Sequence, residues 1–370
     1  MKKNLYFIAL FLSSINYILF NTIGLSEMYK YGIRFMVIGL VLLYIILNSN
    51  RILFSGKDII LLFLVMTPIF AFSINPNVLN GIFIILHLFA SKDIALEEFL
   101  KKNAYIALIG ALLIVLMLAL GFVHNEYYAI DGRLRNTFGF KNVNAFSIFV
   151  YSLSMLLFLL INNTKKRYLL MITLFVYVIY SFTDTRSLLY GVIIYLVAIF
   201  FLNFVFKIKN INKYNIFIKI STYIIIMIPI ILSLMSSIIL RSFPYLDVLT
   251  SYRISINSNY IESNSVLNFL FGGSLINDID NGFLVIIFSI GLPFFIFSMY
   301  IMMKSISRLI DYKNSKYISF LVSFIYFSAF ESLIIRPEMS IAICFWVLIY
   351  KVYKAENDTN DLSIKKSLTV

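Results

Sequence analysis

Four stretches of this largely apolar chain of 370 residues set acids beside arginines. The first, His124 to Asn144, reads HNEYYAIDGRLRNTFGFKNVN and combines Glu126 and Asp131 with Arg133, Arg135 and Lys141. A second is the short run Thr183-Asp184-Thr185-Arg186-Ser187. The third and longest, Arg241 to Gly282, holds Arg241, Asp247, Arg253, Glu262, Asp278 and Asp280 among many Ser, Asn and Tyr residues. In the fourth, Glu331 to Glu338, Arg336 lies between two acids. The planar guanidinium fork grips a carboxylate or a phosphate with two parallel hydrogen bonds, which a lysine ammonium cannot do. Each acid is open to two readings: the salt-bridge partner of a neighbouring arginine, or a proton acceptor in its own right.

These groups need elements to hold them, and the composition says of what kind. Hydrophobic residues make up 61% of the chain and charged residues 13%. A soluble domain is about half apolar and about a quarter charged, so a water-soluble enzyme, a disordered chain and a soluble nucleic-acid binder are all excluded. Apolar runs bounded by charged or turn residues predict an all-α, polytopic membrane protein of about 12 helices, centred near Phe11, Leu40, Val65, Ile85, Ile114, Met155, Phe175, Leu196, Met227, Ile290, Phe324 and Phe345. Met1-Lys2-Lys3 and the apolar run after it read as an uncleaved first span, because no small-residue cleavage pattern follows. The fourth run is the weakest: its core from Val78 to Ala90 is short, contains His87 and allows a re-entrant segment.

Charge settles the orientation. With twelve spans and the N-terminus inside, 22 of the 31 basic residues fall on the cytoplasmic side and 9 on the other. Removing the fourth span would invert everything after it, against the tendency of basic loops to stay inside. Both termini are therefore expected in the cytoplasm. Residues 1–355 form a single polytopic domain, with extracytoplasmic loops at about 124–144 and 241–282, the latter between the ninth and tenth helices, and 356–370 form a cytoplasmic tail. The net charge of +13 then needs no nucleic-acid partner. Nineteen of the inward basic residues are lysine, whereas seven of the nine outward ones are arginine. That asymmetry points to a demand for the guanidinium fork outside, although pairing with loop acids would also account for it.

Other chemistries are poorly represented. Cys344 is the only cysteine, which excludes an internal disulfide and a cysteine-based metal site. The two histidines, His87 and His124, are far apart, and the alternating Asp278 and Asp280 are a weak magnesium signal. No phosphate-binding glycine loop or dinucleotide fingerprint is present, so no metal and no cofactor is expected.

Within the loops, Asn142 or Asn144 opens a span just after Phe138-Gly139. An Asn cap there would leave amide donors facing an anion beside Arg135, or would simply cap the helix. Asp280-Asn281-Gly282 likewise precedes an apolar run as a turn and cap. The long loop, interrupted by the apolar patch Val266 to Phe271, is expected to fold back on the membrane surface.

Taken in order along the chain, these motifs resemble the bacterial O-antigen and capsular polysaccharide polymerase family, called Wzy. The resemblance rests on Arg135, Phe138, Gly139 and Asn144, on Thr183, Arg186 and Ser187, on Leu270-Phe271-Gly272 with Asp280-Asn281-Gly282, and on the large loop between the ninth and tenth spans. It covers the chain from about Arg133 to Gly291. Where family members often carry His-Pro before the Asn, this chain has Asn142-Val143.

The resemblance implies an enzyme of the bacterial cytoplasmic membrane. It would join undecaprenyl-diphosphate-linked oligosaccharide repeat units into a capsule, O-antigen or exopolysaccharide chain, with flippase and chain-length regulator proteins as further partners. Such a transfer needs cations for the diphosphate and a carboxylate for the attacking hydroxyl. Arg135, Arg186 and Arg253, then Arg241 and Arg336, are the candidates for the first task; Asp280 and Asp184, then Asp131, for the second. Tyr127, Tyr128, Tyr245, Tyr252 and Tyr260 would stack on sugars or anchor loops at the interface. Two rival readings are a sister ligase, which by resemblance would carry a histidine in the large loop where Arg241 to Gly282 has none, and a flippase. Against the flippase stand nearly charge-free apolar cores and the lack of an internal repeat.

Overall fold

A computed structural model describes residues 2–52, 54–71, 76–130, 133–161, 166–208, 214–250, 252–274 and 279–355. The chain is mainly helical. The helices are α1 (Lys2–Thr22), α2 (Glu27–Leu47), α3 (Gly56–Val65), α4 (Pro76–Ala90), α5 (Leu96–Ala119), α6 (Val143–Leu160), α7 (Lys166–Thr183), α8 (Arg186–Val205) and α9 (Asn215–Leu234). Four short helices follow, α10 (Ser236–Ser242), α11 (Tyr245–Leu249), α12 (Arg253–Ser263) and α13 (Val266–Phe271), and then α14 (Gly282–Ser289), α15 (Leu292–Asp311), α16 (Ser315–Phe330) and α17 (Ser340–Lys354).

Seven of these, α1, α2, α5, α6, α8, α9 and α15, are long and apolar enough to cross a membrane, and α4, α7 and α16 are shorter apolar helices. Large apolar side chains stand exposed along several of them, such as Ile46 on α2, Phe204 on α8 and Phe217 on α9. Water would penalise such surfaces and lipid does not.

Contacts divide the chain into two compact units interleaved in sequence. One comprises Met1–Ile52, Leu86–Val197 and Pro337–Leu348; the other comprises Leu53–Ile85, Ala198–Arg336 and Ile349–Val370. In the first, α1 packs on α2 and α5, α5 on α6, and α6 on α7. Buried residues lie on every face of α6, as expected of a helix that is apolar all round. In the second unit, α9, α14, α15 and α16 pack on one another, and α13 lies against α14 and α15.

Two expected spans are interrupted. The run centred on Ile290 is not one helix but α14 and α15, separated at Ile290-Gly291, where Gly291 has φ +119°. The run near Val65 stops at α3 and passes into a 3-10 turn, Thr67–Ala71. The two breaks meet. Ser274 N donates to Phe288 O at 2.9 Å, Gly273 N to Ser289 O at 3.0 Å and the Thr67 hydroxyl to Ile290 O at 2.5 Å. Carbonyls freed by the break are thus satisfied internally, the condition for irregular backbone at membrane depth. The apolar patch of the long loop forms α13, which packs beside this break.

One element departs from all-α. Strands β1 (Tyr127–Ile130) and β2 (Arg133–Asn136) pair antiparallel, with Tyr128 opposite Arg135. The pair Asp131-Gly132 between two short extended runs is a hairpin signal readable in the sequence.

Candidate functional site

In the first unit the hairpin carries Arg135 on β2, which packs on α7. Its base is closed by Thr137 N donating to Glu126 O at 3.0 Å and Glu126 N donating to the Thr137 hydroxyl at 3.1 Å. Arg135 Nε donates to Thr183 O at 2.8 Å, and Nη2 donates to Asn144 Oδ1 at 3.0 Å and to Thr185 Oγ1 at 2.9 Å. One side chain therefore ties together β2, the end of α7, the first turn of α6 and the residue before α8. The two motifs built around Arg135 and Thr183-Arg186 are one cluster.

Asp184 shapes that cluster through its backbone. It has φ +45°, and its N–H donates to Tyr180 O at 2.8 Å, ending α7 so that α8 starts two residues later at Arg186. The Arg186 side chain is half-buried and, among the described residues, makes no hydrogen bond or ion pair. Asp131, the third candidate base, lies outside the described residues, as does Asp278.

Of the two asparagines expected at the helix start, the first is the cap. Asn142 accepts Asn144 N at 2.7 Å, so an amide otherwise available to an anion is already bonded. That leaves the Asn144 side chain to orient Arg135. Phe138 and Gly139 take consecutive φ values of +49° and +82°, and Phe138 stacks on Phe146 at 4.7 Å. A Cβ on Gly139 would stand 2.9 Å from the Val123 side chain, so glycine answers both the backbone twist and the close approach. On β1, the Tyr128 hydroxyl donates to Glu126 Oε2 at 2.6 Å, and this bond to a carboxylate raises the phenol above its ordinary range.

The second unit assembles a different cluster. Tyr252 adopts φ +62°, and α12 begins at Arg253. Asp247, itself buried, accepts Ser255 N at 2.9 Å and holds that first turn. Arg253 Nη2 donates to Glu331 Oε1 at 3.0 Å, while Nη1 is 3.6 Å from Asp280 Oδ2. The two carboxylates differ sharply in setting: the Glu331 side chain is 1% exposed and that of Asp280 47%.

Asp280 is placed by the residues after it. Asn281 caps α14, its Oδ1 accepting Phe283 N and Leu284 N at 3.1 and 3.2 Å, and its Nδ2 donating to Ser233 Oγ at 2.7 Å. Gly282 lets α14 approach the turn after α16, since a Cβ there would be 2.6 Å from Ile334 Cγ2. Asp-Asn-Gly is thus a cap and a close contact that bring a carboxylate beside Arg253.

Of the remaining arginines, Arg336 donates from Nε and Nη2 to Ser332 Oγ at 3.1 and 2.8 Å. Arg253 and Arg336 are therefore tied to consecutive residues, Glu331 and Ser332. The acids flanking Arg336 in sequence serve other arginines: Glu331 serves Arg253, and Glu338 pairs with Arg34 in the first unit. Arg241 meets Glu262 at 3.5 Å with its side chain 80% exposed, a weak surface pair.

Among the loop aromatics, Tyr127, Tyr245 and Tyr252 are exposed. Tyr260 instead packs edge-on to Phe288 and donates to Ser274 Oγ at 3.1 Å; burial pushes its hydroxyl up to about 12, with its hydrogen bonds to Ser274 and Asn264 opposing.

In the sequence Glu331 has no evident role beyond flanking Arg336. The available signal is that it is the sole acid between Asp311 and Glu338, in a run otherwise apolar enough to be buried. A carboxylate there requires a cationic partner.

No protein-family model, curated protein or solved structure matches the chain.

Proposed function

We propose that the protein is a polysaccharide polymerase of the outer face of the bacterial cytoplasmic membrane, joining oligosaccharide repeat units carried on undecaprenyl diphosphate. The observation that carries the reading is the Arg253 fork beside a buried and a half-exposed carboxylate, with Asp280 held next to it by the Asp-Asn-Gly turn. The resemblance of the motif order to Wzy polymerases supplies the substrate class.

In this reading Arg253, with Arg336 tied one residue away, holds the diphosphate of the donor lipid. The hydroxyl of the acceptor sugar attacks the anomeric carbon of the donor glycan. A new C–O bond forms, the bond to the diphosphate oxygen breaks, and the electron pair leaves with the diphosphate, whose charge the guanidinium groups stabilise. Asp280, the more exposed carboxylate, takes the hydroxyl proton. Arg135 and Arg186 supply a second set of anion contacts in the other unit, with Arg135 already oriented by Thr183, Asn144 and Thr185. Asp184 is better used as the left-handed residue of its turn than as a base.

Deleting the protein and sizing the surface glycan tests the reading. Single repeat units should persist while long chains vanish. Loss of all outward translocation would support a flippase instead, and unchanged chain length would refute both.

A further inference from the structure

Arg253 faces two carboxylates on unequal terms, and the inequality suggests how the site responds to its substrate. Nη2 makes a 3.0 Å bond to Glu331, whose side chain is 1% exposed. Nη1 is buried and, among the described residues, makes no hydrogen bond; Asp280 Oδ2 stands 3.6 Å away, beyond hydrogen-bond length. Asp280 is 47% exposed, so water competes for its carboxylate. Glu331 has no such access to solvent, so water cannot take the place of Arg253 beside its carboxylate.

From this geometry we infer that Arg253 is an exchange site, at which an incoming phosphoryl anion displaces Asp280 from Nη1 while Glu331 keeps hold of Nη2. The inference rests on the diphosphate reading above and deepens it. An anion approaching from solvent meets the half-exposed partner, not the buried one. A phosphoryl oxygen at hydrogen-bond distance satisfies Nη1, which Asp280 at 3.6 Å does not. Glu331 anchors the guanidinium throughout, so the fork does not follow the ligand. Asp280, released from the cation, is then free to receive the hydroxyl proton, which couples the base to occupancy of the diphosphate site. Asp280 therefore has two opposed roles: it competes with the anion for Arg253 before binding and accepts a proton after it.

Opposed roles give an unusual signature. The probe is inorganic pyrophosphate, titrated calorimetrically into the full chain in lipid nanodiscs at fixed ionic strength. Asp280→Asn removes the competing charge and should tighten pyrophosphate binding roughly three- to tenfold, while abolishing chain elongation. Asp280→Glu keeps that charge and should stay within about twofold of the wild-type affinity. Because Asp280 is half-exposed, both variants should fold, and unchanged thermal unfolding in the same nanodiscs checks this. Pyrophosphate binding that Asp280→Asn leaves unchanged or weakens would overturn the exchange while leaving the diphosphate site standing. Absence of pyrophosphate binding to the wild-type chain would overturn both.

Discussion

Arg135 and Arg253 share a residue type and a need to be held, and the two units meet that need with different atoms. Arg135 donates to a backbone carbonyl, an amide oxygen and a hydroxyl. These three acceptors are neutral and fix the plane of the guanidinium. Arg253 faces two carboxylates, one buried and one half-exposed, so these three charged groups carry a net negative charge when all are ionised. The first arrangement suits steady attraction of an anion. The second suits a group whose partner changes, since one of its carboxylates is sealed from water and the other is open to it.

That contrast can be broken most forcefully at Glu331. Replacing Arg253 with Ala removes the guanidinium that pairs with this buried carboxylate and should destabilise the chain by about 3–5 kcal/mol, seen as a large drop in unfolding temperature of the purified protein. The double substitution Arg253→Met with Glu331→Leu should recover most of that stability while remaining inactive. If the double variant is no more stable than Arg253→Ala alone, the pair is not the source of the loss. Arg135→Ala should cost less, about 1–3 kcal/mol, the scale of leaving the Thr183 carbonyl, Asn144 and Thr185 without their donor.

A finer test uses lysine. Arg135→Lys keeps the charge but cannot reach Thr183 O, Asn144 and Thr185 with one planar group. Long-chain glycan should fall about tenfold at unchanged membrane abundance, the scale of a lost oriented contact. Wild-type chain length in this variant would show that its charge alone matters. The smallest expected effect is at Tyr260. Tyr260→Phe removes the bond to Ser274 and should cost about 1 kcal/mol at neutral pH. The folded hydroxyl is raised to about 12 from an ordinary value of 10, so the wild-type chain loses stability as pH rises above 10 toward 12, when the unfolded chain ionises first. Parallel unfolding curves across that range should show the loss in wild-type and less of it in Tyr260→Phe.

Legibility followed the range of the interaction concerned. Helix positions were readable because each apolar run carries its own signal, and the caps at Asn142 and Asn281 act within three residues. The break at Ile290-Gly291 has a local signal in Gly291-Leu292-Pro293, which is outweighed by the apolar run around it. What permits the break is Thr67, 223 residues away in sequence, with Gly273 and Ser274. The hairpin carrying Arg135 was signalled by Asp131-Gly132 but is outweighed in a sequence dominated by spans.

Among the charged residues the same division holds. Composition and lysine–arginine sorting by themselves determine a lipid-embedded chain with a few informative arginines, because hydropathy and charge are properties of segments and need no partner. Which acid meets which arginine is a property of pairs. Glu331 is five residues from Arg336 yet bonds Arg253, 78 residues away, and Glu338, two residues from Arg336, bonds Arg34. Only the packing of α12, α14 and the turn after α16 decides that Arg253 stands between a carboxylate sealed from water and one open to it.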